Sequence, residues 1–211
     1  MEISIVKYSG EDTGRKVSLS DSVFGIEPND HAIYLDVKSY LANQRQGTHK
    51  SKQRHEIAGS SKKLKKQKGT GGARAGNIKN PLFKGGGRVF GPQPRDYSFK
   101  LNKKVKELAR KSALAYKAKD NAIAILEDFA FDTPKTKQYL NLLSSLSLSD
   151  KKTLLILSEA SKNITLSGRN IPRAKITTAD KINTYELMNA DKLIFVESSI
   201  EKVVNLLNKV Q

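Results

Sequence analysis

Apolar residues are spaced in two regular ways along most of this chain, and neither spacing holds between Leu41 and Lys100. Short apolar runs, typical of buried strands, alternate with stretches in which apolar residues recur every three or four positions, as on one face of a helix. The predicted strands are residues 122–127, 153–158, 174–178 and 192–197. This alternation predicts an α/β fold in which helices cover a mostly parallel sheet.

Polar residues mark where the predicted helices begin. The candidate N-caps are Asp30, Asn102, Asn183 and Ser198. Glu201 follows Ser198 at capping-box spacing, and the last helix would carry an apolar stripe of Val203, Leu206, Leu207 and Val210. Further helices are predicted from Thr133 and Pro134 to about residue 146, and near residues 160–164. Residues 3–8 and 16–19, around Gly10 and Gly14, predict a strand pair at the sheet edge.

Charge sets the irregular middle stretch apart from the rest of the chain. Residues 41–100 contain 15 of the 38 lysines and arginines, 2 of the 21 acidic residues and 10 of the 14 glycines. A structureless stretch of this length is improbable inside a compact domain unless a partner orders it. We therefore predict a globular α/β domain of residues 1–44 and 101–211, and an extended loop of residues 45–100 inserted between two helices.

The partner suggested by the charge is a nucleic acid. A net charge of +17 would repel itself in a free compact fold unless a polyanion neutralised it. Anionic membrane is the competing polyanion, but the longest apolar runs, residues 122–126 and 154–157, are far short of the roughly 20 residues that span a bilayer, so we expect no membrane partner. The chain has no cysteine, and its first residues do not resemble a signal or transit peptide, so we expect a cytoplasmic protein, or one that is made inside an organelle.

Enzymatic chemistry finds little support in the sequence. A nucleotide-dependent α/β enzyme is the alternative, but the spacing of the glycines does not fit it. A dinucleotide-binding fingerprint would need glycine at position 74 or 90, which are Arg74 and Phe90. No Gly-Lys-Ser or Gly-Lys-Thr phosphate loop is present. His49 and His55 lie among cations without cysteines or clustered carboxylates, so we expect no metal and no cofactor.

The loop has the residue types that bind RNA. Lysines supply point charges for phosphates, and arginines supply planar forks that also stack on bases. The predicted RNA-binding cations, including two after the loop, are Arg45, Lys50, Lys52, Arg54, Lys62, Lys63, Lys65, Lys66, Lys68, Arg74, Lys79, Lys84, Arg88, Arg95, Lys103 and Lys104. Glycines at 69–72 and 85–87 would let the backbone approach phosphates closely. The alternative of a disordered basic tract or localisation signal fits poorly, because such segments are usually terminal or low in complexity.

Aromatic residues interleave with these cations. Phe83 and Phe90 are predicted to stack on unpaired bases. Tyr97 and Phe99 have two open interpretations: they stack on RNA, or they anchor the return of the loop to the globular domain.

Several motifs together resemble one known family, the bacterial type of large-subunit ribosomal protein four. They are Arg45-Gln46-Gly47-Thr48, Gln67-Lys68-Gly69-Thr70-Gly71, Ala73-Arg74-Ala75-Gly76, Gly86-Gly87, Phe90-Gly91-Pro92, Pro94-Arg95-Asp96-Tyr97, Asn102-Lys103-Lys104, Pro134-Lys135-Thr136-Lys137 and Arg169-Asn170. The resemblance covers essentially the whole chain. Two positions depart from the family pattern: Leu64-Lys65-Lys66 stands where Pro-Trp-Arg is common, and Gly72 where arginine is common.

The resemblance implies a structural, non-enzymatic constituent of the large ribosomal subunit that binds large-subunit rRNA and supports early subunit assembly. In the family the globular domain sits on the outside of the rRNA, and the loop reaches the nascent-peptide exit tunnel beside large-subunit protein twenty-two. Carried over, the tunnel-proximal tip comprises Gln67, Lys68, Gly69, Thr70, Gly71, Gly72 and Ala73. Some family members also repress their own operon by binding mRNA, and the sequence leaves this open here.

Overall fold

Six β-strands form one sheet in the computed structural model, which describes residues 1–208. The strands are β1 (Glu2–Val6), β2 (Asp12–Ser18), β3 (Ile123–Leu126), β4 (Thr153–Leu157), β5 (Ala174–Thr178) and β6 (Lys192–Val196). Their order across the sheet is β2-β1-β3-β6-β4-β5. Every neighbouring pair is parallel except β1 and β2, which are antiparallel at one edge. The predicted α/β class, mostly parallel sheet and edge pair are confirmed.

Helices connect the strands, as the sequence predicted. They are α1 (Asp21–Phe24), α2 (Asp30–Asn43), α3 (Lys103–Lys119), α4 (Thr136–Ser145), α5 (Lys162–Gly168), α6 (Thr184–Asn189) and α7 (Glu197–Asn208), with a 3₁₀ turn at Ala179–Lys181. Contacts divide the chain into two compact units: the first unit is Met1–Leu41 with the chain from Lys100 onward, and the second unit is Ala42–Phe99.

The core of the first unit lies on both faces of the sheet. Because side chains alternate along a strand, Leu154 and Ile156 of β4 face a cluster built with α1, α3, α6 and α7. Leu155 and Leu157 face a second cluster, built with α4 and α5. The central strands are therefore buried on both sides, which explains why β4 is apolar at nearly every position.

Of the four predicted N-caps, two are confirmed in position and two, Asp30 and Ser198, are wrong. The side chain of Asn183 caps α6 by accepting a 2.8 Å hydrogen bond from the N–H of Glu186. Asn102 precedes α3, but its side chain makes no capping bond. Asp30 is not a cap but the first residue of α2, because Asn29 accepts the capping bond from the Ala32 N–H at 2.9 Å.

The other helices begin at different residues from those predicted. The capping box at Ser198 is wrong, because α7 begins at Glu197 directly after β6 and the Ser198 hydroxyl donates to Asp128 at 2.6 Å. Helix α4 begins two residues later than Pro134, and α5 is shifted toward the C-terminus, with Ser161 as its cap. Helix α1 was not predicted. Val210, the end of the predicted apolar stripe, lies outside the described residues.

The second unit contains neither helix nor strand between Asn43 and Lys103, and its backbone instead forms two antiparallel limbs. We call residues 47–64 the outgoing limb, residues 65–75 the tip and residues 76–95 the returning limb. Backbone hydrogen bonds join the limbs at Arg95–Gly47, Ser51–Pro92, Arg88–Lys52 and Leu64–Gly76, at 3.0 to 3.1 Å. Successive turns from Asn77 to Gly86 fold the returning limb on itself.

Candidate nucleic-acid interface

The cations predicted to bind RNA have solvent-exposed side chains, with one exception. Lys79 is half-buried, and the other fifteen are exposed. Fourteen of the sixteen lie in the second unit, whereas Lys103 and Lys104 open α3 in the first unit. Exposure leaves the charged ends of these side chains in water, where they remain available to a polyanion.

The acidic residues of the second unit neutralise little of this charge. Residues 42–99 contain 14 lysines and arginines against Glu56 and Asp96. Glu56 forms an ion pair with Lys50, lies 3.9 Å from His55 and accepts a 3.0 Å hydrogen bond from the Gln53 N–H. The hydrogen bond from Lys50 holds the pKa of Glu56 below its ordinary value.

The carboxylate of Asp96 is hydrogen-bonded to Ser98, two residues later in the same turn. It accepts hydrogen bonds from the N–H and the hydroxyl of Ser98, at 2.9 and 2.7 Å. The backbone bond from Ser98 holds the pKa of Asp96 below its ordinary value, so the carboxylate stays ionised. Within residues 42–99, Lys50 is thus the single lysine or arginine in an ion pair, and the other thirteen remain without an acidic partner.

The tip, residues 65–75, consists of exposed cations, glycines and small residues without an acid, apart from half-buried Ala75. Lys63 of the outgoing limb donates a hydrogen bond to the Gln67 side chain. Lys65 and Gly72, which both depart from the family pattern, lie close together in the tip. Nζ of Lys65 is 3.5 Å from the position that a Cβ on Gly72 would occupy. An arginine at Gly72 would start beside the Lys65 ammonium.

The glycines of the second unit serve two different purposes. Gly69 and Gly71 have φ of +84° and +63° with open space around their Cα atoms, as predicted for a backbone that bends sharply and can be approached closely. Gly86 and Gly87 instead allow the chain to close on itself. A Cβ would lie 2.0 Å from the Asn80 carbonyl oxygen at Gly86, and 2.4 Å from the Arg54 nitrogen at Gly87. Sequence reasoning did not find this second purpose.

The aromatic residues also differ from one another. Phe90 is 98% exposed, which leaves its ring free to meet a partner, whereas Phe83 is half-buried. Tyr97 is enclosed by its own unit: the guanidinium carbons of Arg45 and Arg95 lie 3.7 and 4.5 Å from its ring centroid. The Tyr97 hydroxyl lies 3.1 Å from Nε2 of His49.

A second group of cations, which the sequence did not predict, borders a cleft of about 490 Å³ in the first unit. Its members are Lys152, Arg169, Arg173 and Lys175, around α5, β5 and α6. Lys175 pairs with Glu186 at 2.8 Å, and this hydrogen bond raises the Lys175 pKa. These cations are separated in sequence by other residue types, so no local charge run signalled them.

The structure gives no sign of enzymatic chemistry within residues 1–208. These residues contain no group of three metal-ligating side chains, and none of their helices is long and apolar enough to cross a membrane. No helix begins among residues 44–102, so the glycine pairs there do not open a helix whose N-terminus could hold a phosphate. An α/β unit and a unit of exposed, unneutralised cations together define a protein suited to binding a polyanion.

Comparison with known proteins agrees with this class. A family model for the ribosomal protein L4/L1 family matches residues 17–206. The chain is 61% identical over 208 residues to large ribosomal subunit protein uL4 of Amoebophilus asiaticus, covering 99% of each chain. It is 60% identical to the uL4 protein of Phocaeicola vulgatus and 59% identical to that of Cytophaga hutchinsonii, each over 99% of this chain and 100% of the relative.

The chain belongs to the ribosomal protein L4/L1 family. It is a structural constituent of the large ribosomal subunit, located in the cytoplasm, and not an enzyme. The predictions of family, fold class, location and absence of enzymatic activity are confirmed.

Proposed function

We propose that residues 45–100, and also Lys103 and Lys104, contribute the side chains through which this protein binds large-subunit rRNA. The observation that carries the proposal is the charge of the second unit, where thirteen of fourteen lysines and arginines lack an ion-pair partner among residues 42–99. Such a surface repels itself in the free protein and gains most from a polyanion. If about ten cations contact phosphates, log affinity should fall with log salt at a slope of about −7 to −9.

Replacing five lysines around the tip tests this proposal. The loop variant changes Lys62, Lys63, Lys65, Lys66 and Lys68 to Gln, and its matched control changes five exposed lysines of the first unit, Lys7, Lys16, Lys38, Lys137 and Lys181. Affinity for a bacterial large-subunit rRNA transcript is measured across a salt series. We expect the slope of the loop variant to be shallower by about 3.5 to 4.5 and that of the control to be unchanged. Equal slopes would contradict the proposal.

Within the tip, the residues from Gln67 to Ala73 are proposed to line the nascent-peptide exit tunnel beside large-subunit protein twenty-two. This proposal is supported by the family resemblance and by the position of the tip beyond the last backbone pair of the limbs, Leu64 and Gly76. Its small residues would leave room for a passing peptide. A photoreactive amino acid at Thr70 should cross-link to a stalled nascent chain and to protein twenty-two, whereas cross-links to neither would refute the placement.

The first unit is proposed to fold and enter the subunit without most of the second. Its two core clusters draw on residues 1–41 and 100–208 alone. A protein lacking residues 55–92 should therefore fold and incorporate into large subunits while perturbing the tunnel. If this protein cannot fold, the division into a globular domain and an inserted loop is wrong.

A role in early subunit assembly is proposed from the family resemblance and from the size of the charged surface, which would join separate rRNA segments. Pulse-labelled protein should then appear in the earliest large-subunit precursors. Its appearance only in late particles would contradict this role.

A further inference from the structure

Two arginines share one aromatic ring at the end of the limbs opposite the tip. The guanidinium carbons of Arg45 and Arg95 lie 3.7 and 4.5 Å from the Tyr97 ring centroid, within the range of cation–π contact. Within residues 1–208, Tyr97 is the one ring that carries two cations. This arrangement brings together residues that are fifty positions apart in sequence.

The pair of arginines has no anion in the protein to balance it. Both side chains are exposed, and neither forms an ion pair within residues 1–208. Asp96, which stands between Arg95 and Tyr97 in sequence, is held by Ser98. Two cations held against one ring repel each other, and a phosphate between or beside them would relieve that repulsion.

Backbone contacts fix the ring in place. The N–H of Arg95 donates to the Gly47 carbonyl at 3.1 Å, and Gly47 has a φ of +64°. A Cβ on Gly47 would lie 2.1 Å from the Arg95 carbonyl oxygen and 3.0 Å from the Tyr97 ring, so only glycine permits this approach. With His49 at its hydroxyl, the Tyr97 ring has little freedom to move.

We propose that Tyr97 is a positioning residue that presents Arg45 and Arg95 as a preorganised pair for a phosphodiester of RNA. A planar guanidinium binds a phosphate through two parallel hydrogen bonds, and a stacked guanidinium loses less freedom when it does so. Tyr97 acts through the arginines and does not itself stack on a base. This inference rests on the proposed rRNA binding and assigns one specific contact within it.

A double-mutant cycle on the full chain tests the inference, with a bacterial large-subunit rRNA transcript as the probe. Tyr97→Leu should weaken binding by about tenfold in the otherwise unchanged protein, and by less than about twofold when Arg45 and Arg95 are already alanine. Tyr97→Phe, which keeps the ring, should bind within about twofold of the unchanged protein. The matched aromatic control, Phe90→Leu, should cost the same factor in both backgrounds, because Phe90 contacts neither arginine.

The outcomes separate this inference from the proposed function. If Tyr97→Leu costs the same factor in both backgrounds, the ring contacts RNA directly and the inference is overturned. If the unchanged protein binds the transcript weakly and without salt dependence, the proposed function itself fails.

A second pair of variants decides the matter if Tyr97→Leu disrupts the fold of the second unit. Changing both Arg45 and Arg95 to Lys keeps the charge but removes the planar fork, and should weaken binding by about fivefold or more. Arg88→Lys controls for the loss of a fork that no ring positions, since the Arg88 guanidinium has no ring or ion-pair contact within residues 1–208, and it should weaken binding by less than about twofold. Unchanged affinity in the double Lys variant would overturn the inference.

Discussion

The backbone N–H of Leu64 donates a 3.0 Å hydrogen bond to the carbonyl of Gly76, and this bond joins the two limbs at the base of the tip. A chain that leaves the outgoing limb at Leu64 returns to the same place at Gly76. The hydrogen bonds between the limbs therefore do not depend on the tip, and the cations of the tip can be removed without breaking those bonds.

Replacing residues 65–75 by Asn-Gly should accordingly leave the limbs paired. This change removes the four cations Lys65, Lys66, Lys68 and Arg74, so the salt slope of rRNA binding should become shallower by about 3 to 4. Exchange of the Arg88 amide, which is bonded to Lys52, reports on the limbs. Faster exchange of that amide would contradict the independence of tip and limbs, and a replacement of equal length by Gly and Ser serves as the control.

Gly87→Ala should open the limbs. The added Cβ would lie 2.4 Å from the Arg54 nitrogen, an overlap with backbone that costs about 1–3 kcal/mol. Gly76→Ala is the matched control, because nothing lies within 4 Å of its Cβ position. Amide exchange at Arg88 should accelerate in the first variant and stay unchanged in the second. Equal protection in both would show that Gly87 does not hold the limbs close.

Leucines on α4 should differ sharply in their contribution to stability. Leu142 is fully buried against the sheet, whereas Leu140, two residues earlier, is 45% exposed. Leu142→Ala should lower the free energy of unfolding by about 2–5 kcal/mol, and Leu140→Ala by less than about 0.5 kcal/mol. Urea denaturation of both variants measures these values. A similar loss in the two variants would contradict the position of α4 on the sheet.

Tyr139 should make stability depend on alkaline pH. Burial raises the pKa of its hydroxyl, which has no hydrogen-bond partner among residues 1–208. In the unfolded chain this hydroxyl has a pKa of about 10. Below that pH it is protonated in both states and stability is at its full value. As the pH rises further, the hydroxyl ionises more readily in the unfolded chain, so the stability of the folded state is lost. Tyr139→Phe should therefore weaken the loss of stability above pH 10.

The same variant should be neutral or slightly stabilising at pH 7, within about 1 kcal/mol, because it removes a buried polar group without a partner. Tyr116→Phe provides the contrast, since the Tyr116 hydroxyl donates to Asp30 at 2.6 Å and its loss should destabilise the protein. The measurement is the free energy of unfolding between pH 7 and 11. A marked destabilisation by Tyr139→Phe at pH 7 would indicate a hydrogen bond to that hydroxyl.

Much of the first unit was predictable, because strand and helix spacing are local properties of sequence. The predicted strand at residues 174–178 agrees with β5 at both ends, and the parallel sheet followed from the alternation of elements. Helix ends were less predictable. Asn29 and Asp30 are adjacent residues with similar capping ability, and only the contact of Asp30 with Tyr116 of α3 distinguishes them.

The internal structure of the second unit was not predictable by the same means. Arg45 and Tyr97 are brought together by limb pairing across fifty residues, and no periodic pattern encodes such a contact. The requirement for Gly87 likewise depends on Arg54, far away in sequence. The cationic character and candidate RNA-binding residues were visible in the sequence, whereas the arrangement that organises them required the structure.

The most direct test of the account is whether this protein stays with large ribosomal subunits during sedimentation through a high-salt gradient. An rRNA-binding loop that is integrated into the particle should keep the protein in the large-subunit fractions, whereas high salt should release a loosely bound factor. We predict full retention of the unchanged protein. Its release into the top fractions, with intact subunits further down the gradient, would contradict the account.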